Sequence, residues 1–131
     1  MALNLYVCLI VACSLTLAIN GKGLIGGYRE SDANGNEVQE AAKFAVKMYN
    51  KASNDVHLYK FIKVESAERQ VVNGINNKLV VKIGRTSCQK NHANSCDGDS
   101  TVLQELLCTF VVYQTLPPPE YSLTKHECNP V

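Results

Sequence analysis

Six cysteines and three histidines are the side chains in this 131-residue sequence best suited to covalent or metal chemistry. A nucleophilic cysteine needs a free thiolate beside a base. A zinc site needs tightly spaced Cys and His pairs. His92 and Cys96 are loosely spaced like ligands, and so are His126 and Cys128, but no second tight pair accompanies them. There is no Gly-rich phosphate loop and no GxSxG turn. The carboxylates are scattered over expected helix ends and strand edges, where they read as solvated charges. The pattern supports no catalysis, no metal site and no cofactor. Thirteen basic residues against twelve acidic ones give a formal charge of +1, which lacks the footprint of a nucleic-acid binder.

The cysteines sort by position. Residues 1 to 20 hold sixteen apolar residues and no charge. The core of that run, Leu5 to Ala18, suits a secretory signal peptide and is short for a membrane span. Cleavage is expected between Ala18 and Gly23, leaving a single secreted domain over residues 21–131. No later segment is long enough to cross a membrane. Cys8 and Cys13 leave with the signal. Cys88, Cys96, Cys108 and Cys128 remain, and an even count in a secreted chain reads as two disulfides. Three pairings are possible. Nearest-neighbour pairing, Cys88 with Cys96 and Cys108 with Cys128, is the expected one. Those closures would contribute about 2.6 and 3.3 kcal/mol in the loop-entropy account, which matters for a domain this small.

The elements that must position any site follow from periodicity. Residues 20 to 36 are rich in Gly, Asn, Asp and Ser and read as a flexible arm and loop, interrupted by Leu24-Ile25. From Asn36 to about Ala52 the period is helical, with Val38, Ala41, Ala45, Met48 and Ala52 on one stripe and Ala42 and Tyr49 beside it. Asn34 or Asn36 can cap its start. Glu37 and Glu40 in the first turn, and Lys47 and Lys51 in the last, suit the helix dipole. Beyond Asn54 the period becomes two. His57 to Val64 is strand-like, and Ile75, Asn77, Leu79, Val81 and Ile83 alternate with polar or outward residues. QVVNG, Gln70 to Gly74, reads as a hairpin turn between them. Gly84 to Ser100 reads as a polar loop. Leu103 to Thr115 is a strand with Leu106, Cys108, Phe110 and Val112 on one side. Pro117-Pro118-Pro119 breaks the ladder, and Glu120 to Cys128 is a last strand. One helix on a meandering antiparallel sheet is an α+β domain.

Three features are odd for a purely structural domain. Leu24-Ile25 is an apolar pair on a Gly-rich arm. Val71 and Val72 sit at a hairpin tip, and Leu116-Pro117-Pro118-Pro119 forms another. Exposed apolar groups on loops are candidates for partner contact. Hairpins two strands apart in a meander emerge at the same end of the sheet, and an arm preceding the helix can lie beside them. The three tips would form a wedge.

These residues resemble the secreted, two-disulfide cystatins, known as type 2. The resemblance rests on LIGG (Leu24 to Gly27), the segment AVKMYNKASND (Ala45 to Asp55), QVVNG as the family's QxVxG, and four Cys in order. It implies a long helix cradled by a five-stranded antiparallel sheet. It also implies a reversible, tight-binding inhibitor of papain-like cysteine proteases such as cathepsins. Gly26 looks like the family's arm glycine, with Leu24 and Ile25 filling non-primed subsites. Gln70, Val71, Val72, Asn73 and Gly74 would cover the cleft without presenting a scissile bond. The family's second hairpin usually carries Pro-Trp. Here those places hold Leu116 and Pro117, a departure shared with tick cystatins, and it implies altered selectivity. Ser53-Asn54-Asp55 is similar to the loop by which some type 2 members inhibit legumain, a protease that cleaves after Asn. A monomer is expected, with strand exchange through the hairpin at 70 to 74 a hazard of the topology. The rival reading is a secreted binding module that uses the same scaffold without protease inhibition.

Overall fold

Helix α1 spans Asn36–Ala52 and lays a face of small residues on the sheet, with Val38, Ala41, Ala42, Ala45 and Val46 buried. Small side chains let the helix axis approach closely, and the i, i+3, i+4 spacing keeps them on one stripe. The stripe drifts from the expected one near its end: Met48 is half-buried and Ala52 exposed. Tyr49 takes over the contact there, meeting the rings of Tyr59, Phe110 and His126 edge-on at centroid distances of 5.3, 6.0 and 5.6 Å. Neither Asn34 nor Asn36 caps the helix. Gly35 is the N-cap and makes no side-chain cap bond. The preceding turn is closed instead by Asp32, whose carboxylate accepts from the Asn34 amide and whose carbonyl accepts from the Gly35 amide, each at 3.0 Å.

This computed structural model describes residues 26–96 and 101–131. The apolar leader, Leu24 and Ile25 lie outside the described residues. The sheet has five strands in the order β1-β2-β3-β4-β5, all neighbours antiparallel: β1 Arg29–Ser31, β2 His57–Val72, β3 Gly74–Gln89, β4 Val102–Gln114 and β5 Tyr121–Pro130. Val64, Ala67, Leu79, Val81, Ile83, Leu106, Cys108, Phe110 and Val112 face the helix and form the core with it. The alternating pattern of β3 and β4 is the one anticipated. Among the described residues no helix is long and apolar enough to cross a membrane.

Three stretches differ from the expectation. Part of the supposed arm is strand β1, held by backbone pairing of Arg29 to Arg69 and Ser31 to Ala67 rather than by any apolar face. Strand β2 runs on to Val72, so the first hairpin turns at Asn73 alone. The supposed polar loop from Gly84 begins as strand. β3 continues to Gln89 and is followed by a 3-10 segment, Lys90–Ser95. Ladder bonds to β2 and β4 on either side hold this polar stretch extended, and Thr86 Oγ1 donates to the Leu58 carbonyl at 2.7 Å. Both disulfides join nearest neighbours, Cys88 with Cys96 and Cys108 with Cys128. The second lies across directly paired positions of β4 and β5.

Candidate functional site

The meander fixes what meets what. Val72 pairs with Gly74, Ile75 with Gln114, and Gln114 with Tyr121. The β2–β3 turn and the β4–β5 loop therefore leave the sheet at one end. Gly26 joins them there, because Gln70 Nε2 donates to its carbonyl oxygen at 2.8 Å. A Cβ on Gly26 would stand 3.2 Å from the Val71 carbonyl oxygen, so the glycine permits this close approach. The arm is thus clipped to the first hairpin by a side chain that composition alone would assign to the surface.

Val71 is 73% exposed, Val72 42% and Leu116 61%. Asn73 and Pro117 are exposed beside them. Exposed apolar side chains from two segments, the first hairpin and the β4–β5 loop, thus share one end of the sheet; the third expected tip, Leu24-Ile25, lies outside the described residues. Both described tips are braced from behind. Tyr113 Oη donates to the Asn73 carbonyl at the turn. Gly74 has a φ of +118°, and an added Cβ would lie 2.6 Å from both the Gln114 carbonyl and Tyr113 Oη. Only glycine fits that crossing. The second loop is closed by Thr115 N donating to the Glu120 carbonyl at 3.0 Å and by Glu120 N donating to Thr115 Oγ1 at 2.9 Å.

Behind the hairpins lies a polar cluster that sequence reasoning missed. Arg69 Nε donates to Asn77 Oδ1 at 2.9 Å, its Nη2 to Gln114 Oε1 at 3.3 Å, and its Nη1 lies 2.7 Å from Glu37. Asn77, fully buried, donates onward to the Val112 carbonyl at 3.2 Å. The cluster links the strands of both hairpins to the first turn of α1. A signal was present: Asn77 interrupts an inward-facing apolar row, and a buried amide needs partners.

Among the described residues, the end of the sheet that carries the two hairpins presents exposed apolar side chains, Val71, Val72 and Leu116. The family model for the cystatin domain matches residues 26–116. The chain belongs to the cystatin family. Cystatins inhibit cysteine proteases and are not themselves enzymes. The chain is 41% identical over 109 residues to cystatin-C of Bos taurus, covering 80% of this chain and 74% of that relative. Among solved structures, dimeric human cystatin F superposes with a TM-score of 0.68 at 27% identity, over 81% of this chain and 88% of that one. The salivary cystatin of the soft tick Ornithodoros moubata gives 0.65 at 25% identity, over 79% and 97%. Type 2 cystatins of the tick kind are what this chain resembles.

Ser53, Asn54 and Asp55 of this cystatin are nowhere near the hairpin tips. They join α1 to β2, and His57 pairs with Gln89 at the opposite end of the sheet. Asn50 anchors the approach, exchanging two side-chain bonds with the backbone of Tyr59 at 2.8 and 2.9 Å. Asp55 is not the solvated charge expected. The Arg85 guanidinium beside it, followed by the His57 amide, holds its carboxyl far below the usual carboxylate range. Burial and the Asp55 carboxylate push the Tyr59 hydroxyl up to about 12.

Proposed function

We propose that this cystatin is a reversible, tight-binding inhibitor of papain-like cysteine proteases, lysosomal cathepsins among them. It acts outside the cell, as a monomer, after cleavage of the leader between Ala18 and Gly23. The observation that carries this reading is the clipping of Gly26 to the first hairpin at the end where Leu116 also emerges. A wedge of that shape enters a cleft with its apolar tips leading. Leu24 and Ile25 occupy the non-primed subsites. Gly26 lets the chain turn away from the nucleophile, and Gln70 to Gly74 cover it. The second hairpin contributes Leu116 and Pro117. No bond is cleaved, so inhibition is occlusion. A hairpin braced before docking loses little entropy on binding. Titration of the purified protein against papain tests this. Stoichiometric loss of activity is expected, and undiminished activity at molar excess would refute it.

A second, separate reading concerns Ser53, Asn54 and Asp55, which we assign to legumain inhibition. It is favoured by the exposure of Asn54 between two half-buried neighbours, which offers an asparagine to a protease that cleaves after that residue. If Asn54→Lys leaves legumain inhibition unaltered, the assignment fails.

A further inference from the structure

The bonding around Asn54 divides its loop into a part that is offered and a part that is held. Ser53 N donates to the Tyr49 carbonyl at 2.8 Å, and Asp55 N donates to Ser53 Oγ at 3.0 Å. Asp55 Oδ1 accepts from His57 N at 2.9 Å and from Arg85 Nη2 at 3.2 Å. Its Oδ2 accepts from Arg85 Nε at 2.7 Å and from Tyr59 Oη at 2.8 Å. A carboxylate offers about four acceptor positions, so Asp55 has none left for a partner. From the other side Lys90 binds the loop twice. Its Nζ donates to the Ser53 carbonyl at 2.7 Å, and its backbone N donates to the Val56 carbonyl at 2.8 Å. Arg85 comes from β3, and Lys90 opens the 3-10 segment enclosed by the Cys88–Cys96 disulfide. Asn54 is the exposed member of the motif.

We propose that Arg85 and Lys90 are positioning residues for this loop. They lock its two flanks so that Asn54 alone is presented to legumain, while Asp55 serves as their internal counter-group and not as a contact. This rests on the legumain reading. Of the three motif residues, one recognises and two are fastened. Both fasteners lie outside the motif, at sequence separations of 30 and 37 from their loop partners. A loop fixed in advance loses less freedom on docking. A loop fastened on both flanks also rearranges less readily, so the same bonds that tighten inhibition slow cleavage after Asn54.

The test compares Asn54→Lys, Arg85→Met, Arg85→Lys and Lys90→Met with the wild-type protein. Inhibition constants are measured against legumain and papain, and cleavage at the bond after Asn54 is followed by mass spectrometry. Asn54→Lys should abolish legumain inhibition and leave papain inhibition intact. Arg85→Met and Lys90→Met should weaken legumain inhibition about ten- to a hundred-fold, the loss expected for a charge-assisted bond. They should also speed cleavage after Asn54 and leave papain inhibition within twofold. Arg85→Lys should restore part of the loss. If Asn54→Lys has its effect and neither Met variant changes legumain inhibition or cleavage, the positioning role is overturned and the legumain reading stands. If Asn54→Lys changes nothing, that reading falls and the positioning role falls with it. If a Met variant loses papain inhibition in parallel, its residue serves the whole fold and the role is overturned for that residue, leaving the other variant to decide.

Discussion

A single methyl group at Gly74 should disable the first hairpin. The backbone there has φ +118°, and forcing a side chain into such a region costs about 1–3 kcal/mol. The added Cβ would also stand 2.6 Å from the Gln114 carbonyl and from Tyr113 Oη, and 2.9 Å from Tyr113 Cζ. Tyr113 can move aside only by giving up its bond to the Asn73 carbonyl, at about 1 kcal/mol. The Gln114 carbonyl belongs to the β4 ladder and cannot move independently. Gly74→Ala should therefore lose about 2–4 kcal/mol, from a total of about 5–15 for a domain of ordinary stability. Urea unfolding should show the midpoint falling by about 2 M, given a typical slope of about 1.5 kcal/mol per M. Papain inhibition should weaken by about tenfold or more, measured at urea-free conditions where the fold persists. Adding Tyr113→Ala should recover only part of the stability, because the contact with the Gln114 carbonyl remains. A midpoint shift under about 0.3 M, with papain inhibition unchanged, would show that nothing at this crossing requires glycine.

Three further outcomes are expected. Leu116→Pro combined with Pro117→Trp should reorder inhibition constants across a panel of cathepsins, because a large aromatic anchor is added to an exposed loop; an unchanged ranking would refute a role for this loop in selectivity. Asp55 has a native pKa far below the usual value, so its pairing stabilises the fold above about pH 4, its unfolded range, and this contribution is lost as pH falls toward the native value. Asp55→Asn should accordingly melt below wild type at pH 7, with the gap narrowing toward pH 2; a gap independent of pH would count against the pairing. Arg69→Met should cost about 2–4 kcal/mol in urea unfolding by leaving buried Asn77 and Gln114 without a donor, and Arg69→Met with Asn77→Leu should recover much of it; equal costs for the single and double variants would show that the amide is satisfied elsewhere.

What could be read from the sequence was what repetition encodes. Leu79, Val81 and Ile83 alternate without a break, and so do Leu106, Cys108, Phe110 and Val112. Burial of one face follows directly from that period. The Ala-rich helix was legible for the same reason. Strand β1 was not, since three residues carry no period and Arg29 and Glu30 have no apolar face to bury. The extension of β3 through Gly84–Gln89 was hidden because its ladder partners, not its own side chains, hold it extended. The cap was misplaced because the Asp32 turn already satisfies the preceding amides, leaving Gly35 to enter the helix. At the site, the exposed tips could be anticipated from apolar residues in turn sequences. The bonds that brace them could not, because Gln70 with Gly26, and Arg69 with Gln114, stand 44 and 45 residues apart.

Those long-range bonds bear on how a wedge without an aromatic anchor could bind at all. Interfaces commonly draw most of their affinity from a few buried aromatic or arginine side chains. The tips here are Val71, Val72 and Leu116, aliphatic side chains with no aromatic or arginine anchor among them. Affinity from so small a surface depends on how little must be ordered when it docks. Each segment is tied to a neighbour before any partner arrives. Gly26 is tied through Gln70, the first turn through Tyr113, and the second loop through Thr115 and Glu120. Arg69 joins the strands beneath both hairpins to α1. The polar cluster therefore supports the proposed binding surface as much as it does the core. It fixes the spacing between two apolar edges whose own contacts are too modest to tolerate a loose one.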